Sequence, residues 1–354
     1  SSTLLKANPN QNFAELLQKQ SGIFIRSSGA GMLSTPSYKG LGTQQTPIVI
    51  NGANMQSSMN GTMDLSLIDA AHFGRVSLNP ADQNATGAQN MGDAISLSSL
   101  VQKNGLHLGL SSSTQNEISA NIKYVRHMKD WYYSISGVAT QSENRVNLER
   151  YGIDKLQANT DYKRASILQT TGYKWKHSEW VNTIYLQGSE RGVPPQIYQM
   201  NNSRQEDANV MMVNKYILKT SKNWIYEAAN QIWAEQIVFD NAQNRVQTDS
   251  KVFNSNTTAS GSKYFKNKWY GKFGIGQSVA RYTSEALASD AVWNRPRVFL
   301  KLRKSYDKIA FSLTQNTVFY EDKEAFSGEL KSEGDFAKVY TWSASVNKVY
   351  RLPV

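Results

Sequence analysis

Cysteine is absent from all 354 residues, which excludes a disulfide framework and any thiolate metal site. Long apolar runs are absent as well. No stretch approaches the roughly 18 residues a membrane helix needs, and mean hydropathy is -0.52, so a helical membrane protein is excluded. The chain has no Gly-x-Ser-x-Gly elbow and no glycine-rich loop ending in Gly-Lys-Ser/Thr. These gaps remove the nucleophile geometry of the serine hydrolases and the phosphate cradle of the P-loop enzymes, so no enzyme is expected. No repeat of fixed period and no low-complexity tract is visible. Residues 1–6 lack the basic start and apolar core of a signal peptide, so the chain is either not secreted or already processed.

None of these absences excludes a membrane barrel, whose strands alternate lipid-facing and inward-facing residues and so average to a polar composition. Aromatic residues make up 11% of the chain, with 18 Tyr and 8 Trp. Many stand near the ends of alternating segments, where a barrel needs amphipathic rings at the membrane interfaces. The net charge of +11 calls for an anionic partner. Its densest cations, Lys263, Lys266, Lys268 and Lys272, alternate with aromatics. Because no nucleic-acid-binding fold accompanies them, a membrane surface carrying lipopolysaccharide is the expected partner and nucleic acid is not.

Two grammars divide the chain. Residues 1–12 form a polar extension. Residues 13–97 read as a small domain of short strands and tight turns. Asn12 caps a short helix with Glu15 placed for a capping box, a strand follows at Ile23-Phe24-Ile25-Arg26, and residues 27–31 make a turn. Ile48-Val49-Ile50 is an apolar strand that Asn51-Gly52 reverses. Asp64 opens a capped helical turn, and strands follow at residues 75–78 and 94–97. From 98 to 354, alternating segments of about 8 to 12 residues predict barrel strands. They lie at 106–110, 118–124, 131–136, 167–175, 180–186, 210–218, 224–239, 268–281, 297–304, 308–320 and 339–350, roughly ten or eleven strands in all. Residues 151–163 and 188–205 are expected to be long loops, and 304–308 a short hairpin turn.

Candidate chemistry is sparse. His72, His107, His127 and His177 lie in different elements and are expected at the surface or facing the lumen rather than on a metal. Glu321, Asp322 and Glu324 are expected in a solvated loop, as are Glu206 and Asp207. Gly271, Gly274 and Gly276 lie in an aromatic, basic strand, where they are expected to let the wall bend.

Several of these stretches together resemble the plug domain of TonB-dependent outer-membrane receptors. The short helix followed by Gln20-Ser21-Gly22-Ile23, the Tyr38-Lys39-Gly40 step, the strand Pro47-Ile48-Val49-Ile50 closing in Asn51-Gly52, and Arg75-Val76 occur in the order that family uses. Residues 55–68 are similar to the cobalamin-receptor branch of Bacteroidota. Lys348-Val349-Tyr350-Arg351-Leu352-Pro353 is similar to an element found partway round such barrels. The resemblance implies an all-β membrane protein with an N-terminal α+β plug domain inside a transmembrane antiparallel β-barrel. That barrel closes with about 22 strands, so the chain is expected to be the first part of a longer one.

Further implications follow from the resemblance. The protein would sit in the bacterial outer membrane and import a corrinoid or an iron chelate, with TonB pulling on the plug and no cofactor of its own. Plug apices and one loop would hold the ligand through Met32, Ser34, Gln56, Ser57, Met59, Asn60 and Tyr198. Lys39 and Arg75 would lock the plug. The sequence departs from the family in having Lys39 in place of Arg, Ser77 in place of Glu, and Asn90-Met91-Gly92-Asp93 where Gly-Gly is usual, and no TonB box is evident in residues 1–11. These departures imply an alternative, a transport-degenerate relative serving as a structural subunit beside a surface lipoprotein or other outer-membrane proteins.

Overall fold

The computed structural model describes residues 13–20, 23–38, 40, 42–59, 61–80, 93–99, 103–113, 116–144, 147–149, 157, 159–194, 202–241, 245–285, 289–307, 309–320, 323–336 and 340–348. The N-terminal extension, Lys39, Asn60, Tyr198, Glu321 and Asp322 therefore lie outside the described residues.

The N-terminal domain opens with helix α1 (Phe13–Gln20), whose Phe13, Leu16 and Leu17 are all buried. Strands β1 (Phe24–Ser27) and β2 (Ser34–Ser37) form a hairpin. The sequence pattern did not show β2, because Pro36 and its serines carry no apolar alternation. A second sheet runs in the order β4-β3-β6-β5, from β3 (Ile48–Ile50), β4 (Ala53–Asn54), β5 (Arg75–Pro80) and β6 (Asp93–Ser98). Asn51 and Gly52 take φ of 49° and 93°, the left-handed pair that a two-residue hairpin turn requires. Asp64 caps the helical turn Leu65–Leu67 by accepting from Ser66 N.

The remainder is one antiparallel sheet of 13 strands in sequential order. It comprises β7 (Gly105–Ser112), β8 (Glu117–His127), β9 (Trp131–Ser142), β10 (Tyr162–Lys174), β11 (Ser178–Gly192), β12 (Arg204–Lys219) and β13 (Trp224–Asn241). It continues through β14 (Val246–Phe265), β15 (Trp269–Ser284), β16 (Ala291–Ser305), β17 (Ile309–Tyr320), β18 (Lys323–Phe336) and β19 (Tyr340–Lys348). Two of these, β14 and β18, were not expected. Serine, threonine, glycine and lysine occupy half of β14, so pairing with its neighbours reveals it, not hydropathy. Glu324, expected in a loop, lies on β18 and is exposed. The expected loops are shorter than their sequence limits, because β10 starts at Tyr162, β11 runs to Gly192 and β12 starts at Arg204. Glu206 and Asp207 accordingly stand on β12.

Connections at one rim are short: 128–130, 175–177, 220–223, 266–268 and 306–308. The longest ones, 143–161 and 193–203, both lie at the other rim. One face of the sheet presents Leu108, Ile122, Ile167, Leu186, Val210, Phe253, Ile275 and Leu300 outward, all exposed. The other face packs on the N-terminal domain. Leu168, Tyr185, Met211, Val213 and Trp233 join Phe13, Ile48, Ile50, Met55, Leu65 and Ile95 in one core cluster, so the domain plugs the inner face.

Two of the glycines serve close approach rather than a bend. A Cβ on Gly274 would lie 2.3 Å from the Phe299 ring and 2.6 Å from the Ala259 carbonyl, and one on Gly276 would lie 2.5 Å from Arg297 Nε. Gly274→Ala is therefore expected to destabilise the folded barrel by about 1–3 kcal/mol. Gly188→Ala, with nothing within 4 Å, is expected to be neutral. Urea unfolding followed by heat-modifiable gel migration checks both.

Candidate functional site

One short plug segment that meets the wall, residues 64–73, carries more polar groups than a buried stretch can leave unpaired. Asp69 is 2% exposed. Its Oδ1 accepts from Arg164 Nε at 3.1 Å and lies 2.9 Å from the second guanidinium nitrogen, while Oδ2 accepts from Ser166 Oγ at 2.7 Å. The same guanidinium donates to the Ser66 carbonyl at 3.1 Å. Tyr185 Oη donates to the Leu67 carbonyl at 3.0 Å, and Lys123 Nζ to the carbonyls of His72 at 2.8 Å and Ala71 at 3.2 Å.

His72 lies fully buried between the two bodies. Its Nδ1 is 2.7 Å from Ser136 Oγ and its Nε2 2.8 Å from Ser166 Oγ. Because Ser166 gives its proton to Asp69, its oxygen accepts from Nε2–H, while Ser136 Oγ, beside Nδ1, also lies 3.3 Å from the Leu168 carbonyl. A neutral ring then carries its hydrogen on Nε2. Burial, reinforced by the Lys123 and Arg164 charges and opposed by Asp69, pulls its pKa from 6.5 down to about 4. The expectation of a surface or lumen-facing histidine fails here, since the ring spans the plug–wall contact. His107, His127 and His177 are exposed. Among the described residues no cluster of three or more His, Cys, Asp or Glu could hold a metal.

A second ion pair sits nearer the long-loop rim. Asp64 Oδ1 accepts from Ser66 N and Ser34 N, and Oδ2 accepts from Arg191 at 2.7 Å. Arg191 also donates to the Gly31 carbonyl and lies 3.5 Å from Asp207 Oδ2. Further contacts tie the hairpin turn and the apical loop. Asn51 Nδ2 lies 3.2 Å from Thr170 Oγ1 and 3.1 Å from Thr183 Oγ1. Ser57 Oγ donates to Glu235 at 2.8 Å, Gln231 donates to the Asn54 carbonyl, and Tyr282 and Asn254 donate to Ser58.

The residues assigned to ligand divide between two loops. Met32 and Ser34 are buried, and Ser34 Oγ is bonded to Ser27 Oγ and the Met32 carbonyl. Gln56 Nε2 donates to the Gln44 and Gly61 carbonyls, Ser57 is held by Glu235, and Met59 is half-buried. Arg75 is exposed beside a cavity of about 480 Å³ that also meets Lys215, Glu227 and Lys272. Among the described residues, the charges that join plug to wall are Asp64, Asp69, Lys123, Arg164, Arg191 and Glu235, with Asp207 backing Arg191, and sequence reasoning missed this role for all of them. Arg164 borders one segment read as a loop, and Arg191 and Asp207 fall in or just beyond the other. A charged residue on the inward phase of a barrel strand was the available signal.

Residues 1–94 match the TonB-dependent receptor plug domain family. No curated protein matches the chain. Among solved structures it resembles the FrpB iron transporter from Neisseria meningitidis, with TM-score 0.78 at 11% identity over 99% of this chain and 63% of that one. It also resembles the copper transporter OprC, with TM-score 0.74 at 13% identity over 98% and 63%. A third, the alcaligin outer-membrane receptor FauA from Bordetella pertussis, gives TM-score 0.67 at 14% identity over 94% and 59%. The chain thus spans about three-fifths of the length of these neighbours and shares their fold, a plug domain against a β-barrel wall. Its place is the bacterial outer membrane.

Removing one charge of a buried pair strands the other, at a cost of about 3–5 kcal/mol. Asp69→Asn is accordingly expected to loosen the plug, read as faster amide exchange across residues 64–73, and Asp69→Leu with Arg164→Met is expected to recover most of the loss. For His72, the unfolded chain binds more protons than the folded one between pH 6.5 and about 4. Plug stability is therefore flat above pH 6.5 and falls below it, by about 1.4 kcal/mol per pH unit and roughly 3 kcal/mol in all. Urea midpoints across pH 4–8 check this, and His72→Gln is expected to flatten the acid limb.

Proposed function

We propose that this chain supplies the plug and part of the barrel of an outer-membrane receptor that imports a scarce, bulky ligand, a corrinoid or an iron chelate, with TonB drawing the plug. The observation that carries this reading is the character of the plug–wall contact. Beside an apolar cluster it carries ion pairs and hydrogen bonds to backbone carbonyls, with Asp69–Arg164 at its centre. Such a contact holds firmly at rest and breaks under a directed pull without covalent chemistry. The plug-domain match at residues 1–94 supports it, and the iron, copper and alcaligin names belong to proteins that share the fold. Transport rather than catalysis is the activity.

On this reading the apical loops around Met32, Ser34, Gln56, Ser57, Met59 and Asn60, with Tyr198 from the wall, receive the ligand. Lys39 and Arg75 would act with the Asp69–Arg164 pair in locking. A second reading, a transport-degenerate subunit of an outer-membrane assembly, draws on a specific observation. The polar atoms of Ser34, Gln56 and Ser57 are already bonded within the protein.

Binding of cyanocobalamin, haem and a ferric siderophore to the detergent-purified full-length receptor separates the two, run beside pull-down with the TonB C-terminal domain. Import predicts saturable binding of one ligand and retention of TonB. Neither ligand nor TonB binding, with stable outer-membrane partners in the eluate, would sink it.

A further inference from the structure

The outward face of a barrel wall meets hydrocarbon and is expected to be apolar. One row of this wall is not. Thr171, Asn182, Asn214, Asn230, Thr257 and Gln277 stand directly opposite one another on β10 to β15. Their chain neighbours Thr170, Thr183 and Gln231 bond to the plug or its attached residues, so strict alternation turns the row itself outward. The outward rows on either side are mostly apolar or aromatic, with Ile184, Met212 and Ile232 above and Trp180 and Tyr216 below; the row above also holds Ser255 and Gln169, which donates to Thr171 Oγ1 at 2.6 Å.

The row is oblique to the membrane. Thr171 lies three residues from the short-turn end of β10, and Gln277 eight residues from that end of β15. Six strands about 4.8 Å apart make it about 24 Å long, and a strand tilt of about 40° carries it across much of the hydrocarbon band. Its amides partly satisfy one another. Asn182 donates to Asn214 Oδ1 at 2.9 Å, and Asn230 donates to Thr257 Oγ1 at 2.8 Å. The centre is left open: Asn214 and Asn230 are directly paired across β12 and β13, and neither the amide nitrogen of Asn214 nor the amide oxygen of Asn230 takes part in a hydrogen bond. Facing such groups to lipid without a hydrogen-bond partner is unfavourable.

We propose that this stripe is the contact between two copies of the protein in the outer membrane, related by a two-fold axis that passes between Asn214 and Asn230. An unused donor beside an unused acceptor is self-complementary under a two-fold rotation. Asn214 of each copy donates to Asn230 of the other, and both open groups are satisfied at once. A charged partner is disfavoured, since the stripe carries no charge to answer one. Hydrocarbon leaves both amides unpaired. A two-fold axis along the membrane normal makes the two oblique stripes cross, so contact centres on these two asparagines, and Ile232, Met212 and Tyr216 pack around the crossing. The inference is independent of whether the receptor transports.

The 354 residues hold no cysteine, so each introduced thiol is the only one they carry. Differently tagged full-length copies bearing Asn214→Cys and Asn230→Cys, co-expressed in the outer membrane and oxidised, are expected to give a disulfide-linked band at twice the monomer mass carrying both tags. Copies bearing Leu300→Cys, on the outward face of β16, are expected to give none. Asn214→Leu with Asn230→Leu is expected to halve the mass measured in detergent while the heat-modifiable fold persists. No cross-link between copies, equal cross-linking at Leu300→Cys, cross-linking only to other proteins, or an unchanged mass in the leucine variant would each overturn the proposal.

Discussion

A buried charge must be answered by another, and in this protein that constraint falls on Asp69. Its carboxylate, 2% exposed, is bonded by Arg164 and Ser166 from one wall strand, and the same arginine reaches back to the Ser66 carbonyl. Neighbouring strands supply the rest from a single register row, in which Lys123, Ser136, Leu168 and Tyr185 stand opposite one another. A one-residue slip in any of these strands would turn its plug-facing residue to lipid and leave carbonyls of residues 66–72 without donors. The polar contact therefore sets the register of the wall as well as the position of the plug. The apolar cluster through Leu168, Tyr185 and Met211 contributes most of the burial but tolerates displacement more readily.

His72 shows how the contact resolves its proton count. Four groups share few protons there, and burial beside two cations keeps the imidazole neutral. Ser166 donates to Asp69 and accepts from Nε2, while Ser136 completes Nδ1. A second charge beside Lys123 and Arg164 would have no counter-ion, which is why burial and these two cations act in the same direction on its pKa.

Local rules made much of the plug legible. Helix α1, the strand Ile48–Ile50, the Asn51-Gly52 reversal and the Asp64 cap each follow from a few neighbouring residues. The wall was legible where outward residues were apolar, and illegible at β14, whose Ser255, Thr257 and Ala259 give no alternation. The plug–wall charges were hidden for a different reason. Asp69 and Arg164 are 95 residues apart, and nothing local distinguishes a carboxylate that will be buried from one that will be solvated. Only the register that aligns β8 to β11 brings the set together.

Register also decides what the net charge means. Of the densest lysines, Lys263, Lys266 and Lys268 border the short β14–β15 turn, and Lys272 points inward over the Phe299 ring. Lys129, Lys176, Lys219 and Lys222 occupy or border other short turns and are exposed. At the opposite rim Lys163, Arg204, Lys251 and Arg281 are each paired with a carboxylate, Glu190, Asp161, Asp249 and Asp290 among them. Short turns face the periplasm in outer-membrane barrels. Among the described residues, exposed lysines thus gather on the short-turn rim among Trp175, Trp224, Trp269 and Tyr264, with Lys268 paired to Asp307, Lys263 set 5.3 Å from the Trp224 ring and Lys304 5.1 Å from that of Trp269. A cation held over an indole face keeps its charge at the level of the headgroups, which suits these lysines to a membrane interface.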